Sequence, residues 1–67
     1  MIKAMINGEG WELAQGTTIA NVVSSFKIKP QLCVVEQNNE IISQEKYNVS
    51  PVKAGDKIEV IRFMAGG

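Results

Sequence analysis

Two glycines end the sequence, and they are suited to presenting a reactive group to another protein. Gly66 and Gly67 follow a strand-like segment directly, with Ala65 before them. Glycine residues can thread an extended backbone through a channel too narrow for side chains. The group presented would be the α-carboxylate of Gly67, which resists acyl transfer until it is activated, most simply as a mixed anhydride with AMP. The ending therefore predicts activation by a separate enzyme that uses ATP. A frayed terminus without a role is the alternative.

The single cysteine is the other candidate nucleophile. Cys33 lies in the longest apolar run of the chain, residues 32–35, and the sequence contains no histidine. A thiol with no base and no helix N-terminus beside it keeps its high pKa, so we expect a buried, unreactive core residue. Without histidine or a second cysteine there is also no metal site of ordinary spacing. We therefore predict no metal ligands and no bound cofactor.

Four carboxylates stand close to predicted turns or strand ends, and they are Glu36, Glu40, Asp56 and Glu59. Paired carboxylates can perform general acid-base catalysis. Side chains of this kind are more often solvated or cap turns. We expect the structural role and assign no catalytic residue.

Length and charge restrict the class of protein. A chain of 67 residues hides only about 60% of its unfolded surface, which leaves no material for an enclosed active-site cavity beside the core. We predict one domain, residues 1–67, with residues 64–67 as a flexible C-terminal tail, and no enzymatic activity of its own. Seven basic and seven acidic side chains form no basic stripe, which argues against nucleic acid as a partner.

The hydropathy pattern indicates where in the cell the protein is expected. No apolar run approaches the length of a membrane span, and the first twenty residues contain no signal-peptide hydrophobic region. A single cysteine suits a reducing compartment. We expect a cytoplasmic protein that does not associate with membranes.

The first elements form a hairpin followed by a helix. Residues 1–6 and 9–14 alternate with a period of two, and Asn7-Gly8 between them tolerates positive φ, as a tight hairpin turn requires. Trp11 in the second strand fits a core-rim residue and a contact residue equally well. Thr17 or Thr18 can cap a helix that Pro30 ends. Its apolar stripe would pack on the hairpin and consists of Ile19, Val22, Val23 and Phe26.

The second half of the chain predicts three more strands. Residues 32–37 and 40–43 pair through a turn at Asn38-Asn39, and residues 57–63 alternate again. The intervening residues 44–50 should be irregular or a single helical turn, with Tyr47 and Val49 as apolar anchors.

This order of elements predicts an α+β fold. A parallel pairing of the first and last strands at the sheet centre, joined by a right-handed crossover that contains the helix, satisfies the connection rules. The result is the ubiquitin-like β-grasp arrangement, a mixed sheet of four to five strands with one main helix packed on one face.

The last strand also predicts a docking surface. The parity that buries Ile58 and Val60 under the helix turns Ile61 and Phe63 to the opposite, uncovered face of the sheet. Met5, of matching parity on the adjacent first strand, would extend the patch. We predict that these three residues dock a partner, and scattered surface apolar residues are the alternative.

The motifs together resemble a known family. Each motif is weak by itself, but their order and spacing together are specific. The motifs are Asn7-Gly8-Glu9, Gly16-Thr17-Thr18-Ile19, the run from Val35 to Ile42, the run from Gly55 to Val60, and terminal Ala65-Gly66-Gly67. The whole chain is similar to the ThiS family, the sulfur carriers of thiamine biosynthesis. Asn39 stands where many relatives have glycine, and asparagine tolerates the same turn conformation.

The resemblance implies a function in which the protein is a substrate. An E1-like (ThiF-like) adenylating enzyme would activate Gly67 with ATP, and Ala65 and Gly66 would thread the tail into its active site. A sulfur donor, such as a cysteine desulfurase system, would convert the glycyl adenylate into a thiocarboxylate. A thiazole synthase (ThiG-like) would then take the sulfur.

Three other functions remain open from the sequence. The small subunit of molybdopterin synthase shares the fold and the terminal Gly-Gly, although its chains usually run longer. A ubiquitin-like modifier would instead attach Gly67 to a lysine of a target protein. An interaction module would use the fold without the tail.

Overall fold

The computed structural model describes residues 1–63, and the predicted tail residues Ala65, Gly66 and Gly67 lie outside them. The strands and the helix, in chain order, are β1 (Ile2–Ile6), β2 (Glu9–Leu13), α1 (Ile19–Ser25), β3 (Cys33–Gln37), β4 (Glu40–Ile42) and β5 (Lys57–Arg62). Short 3-10 helices occur at Pro30–Leu32 and Gln44–Lys46. Within residues 1–63, no helix is long and apolar enough to cross a membrane.

The strands form one mixed sheet in the order β2-β1-β5-β3-β4. β1 is antiparallel to β2 and parallel to β5, and β5 is antiparallel to β3. The predicted parallel pairing of the first and last strands is therefore confirmed, with both strands inside the sheet. The two hairpin turns are also as predicted, because Asn7, Gly8, Asn38 and Asn39 all have positive φ.

The helix begins as predicted but ends earlier. Thr18 is the N-cap: its hydroxyl accepts from the Asn21 N–H, and the Asn21 side chain accepts from the Thr18 N–H. The prediction that Pro30 stops the helix is wrong, because α1 ends at Ser25 and Lys27 takes a left-handed conformation with φ of 59°. Once the backbone reverses its hand at Lys27, the helix cannot continue. Pro30 instead begins a 3-10 helix, where its missing N–H costs nothing.

The core lies between α1 and one face of the sheet. Its fully buried side chains are Ile6, Ile19, Val22, Val23, Val35 and Ile58. Tyr47 is buried as predicted, but Val49 is 74% exposed, so its predicted anchoring role is wrong. Residues 44–49 form consecutive tight turns, with Tyr47 N–H donating to Gln44 and Val49 N–H donating to Lys46. In such turns, residues two apart point to different sides.

Candidate functional site

The uncovered face of the sheet carries the predicted docking residues. Met5, Ile61 and Phe63 are 43%, 48% and 49% exposed. Ile58 and Val60, which alternate with Ile61 along β5, are buried under α1. The predicted parity of β5 is therefore confirmed. The docking role of these three residues stays a prediction.

The register of the sheet separates Met5 from the other two. Met5 lies beside Lys57, whereas Ile61 lies opposite Val34 on β3. The four residue steps from Lys57 to Ile61 span about 13 Å of strand. Because β1 pairs with only the first two residues of β5, Met5 does not extend the patch next to Ile61.

A residue that the sequence reading missed lies on the same face. Ile41 on β4 is 72% exposed and faces Glu36, which in turn faces Glu59 on β5. Ile41 shares the parity of Glu36 within the predicted hairpin, so the alternation of residues 40–43 was the signal that could have found it. Val34 lies directly opposite Ile61, and Ile41 lies level with Glu59, on the far side of β3. We call the apolar residues of this face around the second half of β5 the β5 patch, and they are Val34, Ile41, Ile61 and Phe63.

Two carboxylates stand directly opposite each other within this face. Glu36 and Glu59 are cross-strand partners and both are half-buried, and the other cross-strand neighbour of Glu36 is Ile41. Like charges in this position destabilise a sheet. Of the carboxylates predicted to be solvated or to cap turns, Glu36 and Glu59 are only partly solvated, whereas Glu40 is exposed.

Asp56 takes the turn-capping role, one of the two predicted for these carboxylates, and it is more buried than a solvated side chain would be. It is only 8% exposed, and its carboxylate accepts hydrogen bonds from Lys53 N–H at 2.8 Å, Gln37 Nε2 at 2.8 Å and Asn38 Nδ2 at 3.0 Å. Burial acts to raise the pKa of Asp56, but these hydrogen bonds outweigh it and hold the pKa below its ordinary value. The carboxylate caps the turn before β5, as predicted, and ties that turn to the β3–β4 hairpin.

The end of β5 is held to β3 by its backbone. Phe63 N–H donates to Leu32 O at 2.9 Å. This bond holds the backbone of Phe63 beside the residue that precedes β3. The predicted reactive carboxylate of Gly67 follows four residues later in the sequence, outside the described residues.

Cys33 lies in the core and Trp11 packs against it. Cys33 is buried, its Sγ donates to Pro30 O at 3.6 Å, and burial raises the pKa of its thiol, which confirms the predicted core role. Trp11 packs against the edge of the core with its ring centroid 5.3 Å from that of Phe26. Trp11 therefore lies at the core rim. Within residues 1–63, no cluster of side chains could hold a metal ion.

Known proteins similar to this chain include one of nearly the same length and one that is much longer. The ThiS family model matches residues 4–67. The sulfur carrier protein ThiS of Bacillus subtilis is 33% identical over 64 residues, which cover 92% of this chain and 96% of that protein. The thiazole synthase of Magnetococcus marinus is 30% identical over 66 residues, which cover 98% of this chain but only 20% of that protein. The chain thus spans one fifth of the length of this larger relative.

A solved structure agrees with the architecture. The crystal structure of the thiamine biosynthesis protein ThiS from Geobacter metallireducens superimposes with a TM-score of 0.80 at 28% identity. The match covers 98% of this chain and 100% of that one. Family, length and fold therefore agree over nearly the whole chain.

Proposed function

The chain belongs to the ThiS family, and we propose that it serves thiamine biosynthesis as a sulfur carrier that holds its cargo on the carboxylate of Gly67. The observation that carries this proposal is the family match over residues 4–67, which includes the Gly-Gly pair. The match to a ThiS protein of nearly equal length supports it further.

The proposed chemistry takes place at one carbon atom. The Gly67 carboxylate attacks the α-phosphorus of ATP and releases pyrophosphate, which leaves a glycyl adenylate. A sulfur nucleophile at the oxidation level of sulfide then forms a C–S bond, and the C–O bond to AMP breaks. The product is a thiocarboxylate. The folded domain contributes by presenting this carbon to other enzymes, with no catalytic residue of its own.

Two partner enzymes and one donor follow from this chemistry. A ThiF-like adenylating enzyme would supply the ATP site. A cysteine desulfurase system would supply the sulfur as a persulfide, and a thiol reductant would bring that sulfur to the sulfide level by forming a disulfide. A thiazole synthase would consume the thiocarboxylate. Similarity to part of a longer thiazole synthase supports the last assignment, because a segment like this chain is carried within that enzyme.

The β5 patch is the proposed docking surface for these enzymes. Ile61 and Phe63 are exposed, and they directly precede the residues that must enter a partner's active site. A short tail offers few contacts, so most of the binding energy should come from a neighbouring apolar patch. Met5, at the other end of β5, would contribute only to a partner wide enough to reach it.

The test uses the full chain, ATP and the ThiF-like enzyme of the same organism. We expect pyrophosphate release that depends on this chain. With a sulfur donor present, intact-mass spectrometry should show one oxygen atom replaced by one sulfur atom. Deletion of Gly67 or the substitution Gly66→Val should abolish both signals and leave the melting temperature unchanged. Gly66→Ala is the matched control and should retain more activity, because a methyl group obstructs a narrow channel less than a β-branched side chain.

Other products would identify the competing functions. Adducts in which Gly67 is linked to lysine side chains would indicate a protein modifier, and sulfur transfer to a molybdopterin precursor would indicate the molybdopterin synthase role. Equal losses of melting temperature and activity in Gly66→Val would mean that the tail is structural, which would contradict the proposal.

A further inference from the structure

On the β1 side of β5, the end of the strand lies beyond the strand pairing found within residues 1–63. Phe63 N–H donates to Leu32 O on the β3 side. The N–H and C=O of one strand residue point to the same neighbouring strand, and those of the next residue point to the opposite one. Because Phe63 bonds on the β3 side, the N–H and C=O of Arg62 face the β1 side. β1 pairs with β5 only at Met5–Lys57 and Ile6–Ile58. β3 lies beside Arg62 on the other side, through the pair Cys33–Arg62, but among residues 1–63 no strand pairs with Arg62 on the β1 side.

The side chain of Asn7 continues the hydrogen-bonding pattern between β1 and β5 by one more residue of β5. Asn7 N–H donates to Ile58 O at 2.9 Å, which continues the pairing of β1. Val60 N–H then donates to Asn7 Oδ1 at 2.7 Å, and Asn7 Nδ2 donates to Val60 O at 3.4 Å. A side-chain amide carries the same donor and acceptor as a peptide group, so Asn7 substitutes for the next residue of a neighbouring strand.

The ladder then stops where the chain of β1 turns away. Asn7 and Gly8 have φ values of 51° and 83°, and they direct the backbone into β2. Arg62 follows Val60 by about 6.6 Å along the strand. Arg62 is an exposed residue at this edge.

We propose that this edge at Arg62 is a strand-addition site for the enzyme that receives the C-terminus. A segment of that enzyme in extended conformation would pair with the N–H and C=O of Arg62, in line with β1 and next to Asn7. The inference rests on the proposed function, because it is the transfer of Gly67 into an active site that requires a partner beside this part of the chain.

The chemistry of the edge selects this occupant. An adjacent donor and acceptor at strand spacing match an extended peptide backbone, and strand addition is a common way for proteins to hold a partner through main-chain hydrogen bonds. Pairing here would extend the sheet toward the tail and restrict the direction in which Gly67 points. The apolar side chains of the β5 patch would add affinity on the adjoining face.

The first experiment removes a single backbone donor. Arg62→Pro eliminates the N–H that faces the free edge, and proline is tolerated at such positions of a sheet. Arg62→Ala is the matched control, since it removes the side chain and retains the N–H. We expect both variants to melt within a few degrees of the parent, and Arg62→Pro to bind the adenylating enzyme about tenfold more weakly than Arg62→Ala in calorimetric titration.

The second experiment uses the unaltered chain and does not depend on the folding of a proline variant. Amide hydrogen exchange by NMR should show fast exchange of the Arg62 N–H in the free protein and slow exchange in the complex. The Phe63 N–H, bonded to Leu32, should be slow in both and serves as the internal control.

The outcomes separate the inference from the function on which it rests. If the parent chain is adenylated but Arg62 N–H stays unprotected in the complex, the strand-addition site is wrong and the carrier function stands. If the parent chain is neither bound nor adenylated, both fail. Protection of Arg62 that appears without the enzyme and rises with protein concentration would mean that a second copy of this chain occupies the edge, which also overturns the proposal.

Discussion

Replacement of Asp56 by alanine should destabilise the domain severely, because this carboxylate joins two loops that are far apart in the sequence. It accepts hydrogen bonds from Lys53 N–H, Gln37 Nε2 and Asn38 Nδ2. Hydrogen bonds to charged groups contribute about 1.5–3 kcal/mol each. The Gln37 and Asn38 amides lie near the surface and can turn to water, so we expect a total loss of about 2–3 kcal/mol. For a domain of this size, that lowers the melting temperature by roughly 10–20 °C.

A more conservative variant gives a graded result. Asp56→Asn keeps an oxygen that can accept from Lys53 N–H but presents an NH₂ group where Asn38 donates. We expect a loss of about 1 kcal/mol, which corresponds to roughly 4–8 °C. Glu45→Gln, which alters an exposed carboxylate in the 3-10 helix at Gln44–Lys46, is the control and should melt like the parent.

The pH dependence of these variants tests the electrostatic part of the reasoning. The pKa of Asp56 is lowered in the folded protein, so the unfolded state binds its proton first as the pH falls. The stabilisation is therefore fully present above the unfolded pKa of about 3.9 and is lost as the pH falls through the lower folded pKa. The difference in stability between the parent and Asp56→Asn should be largest at neutral pH and should shrink below about pH 4.

Urea titrations followed by circular dichroism at several pH values provide the measurement. A parent and an Asp56→Ala variant with equal unfolding midpoints at neutral pH would refute the view that this network holds the loops together. A difference that does not change between neutral and acid pH would instead mean that packing, and not the charge, is responsible.

The other predictions concern the uncovered face and the core. Ile61→Asp should weaken binding to the adenylating enzyme by about 2 kcal/mol in calorimetry and leave the melting temperature nearly unchanged; an unfolded variant would contradict its exposed placement. Glu36→Gln or Glu59→Gln should stabilise the free protein by a few tenths of a kcal/mol by relieving cross-strand repulsion, whereas Glu12→Gln, which faces Lys3, should not; equal urea midpoints for all three would argue against repulsion. Cys33→Ala should lower the free energy of unfolding by about 1 kcal/mol and should still form the thiocarboxylate at Gly67. A variant that folds but forms no thiocarboxylate would show that the Cys33 thiol takes part in sulfur transfer.

Local patterns in the sequence were sufficient for the order and the faces of the elements. Alternation along residues 57–63 correctly separated the buried side chains of β5 from exposed Ile61 and Phe63. The asparagine and glycine pairs correctly marked both hairpin turns. Such features depend on residues close together in the chain, which is why they are readable without a structure. The same is true of the Thr18 cap.

Pairing between distant residues was decided only by the tertiary structure. Asn7 was recognisable as a turn residue, but its amide also bonds to Val60, 53 positions away. Asp56 was readable as a turn cap, but its burial depends on Gln37 and Asn38 from another hairpin.

The composition of the candidate surface depends on register in the same way. Parity alone grouped Met5 with Ile61, because alternation states which face a side chain occupies but not its height along the sheet. β1 pairs with only the first two residues of β5, whereas β3 pairs with residues 58–62. This register places Met5 away from Ile61, sets Val34 beside Ile61 and puts Ile41 level with Glu59. The sequence by itself thus determined the family, the elements and their faces, whereas the neighbours across the sheet were decided by long-range backbone pairing, which no local pattern encodes.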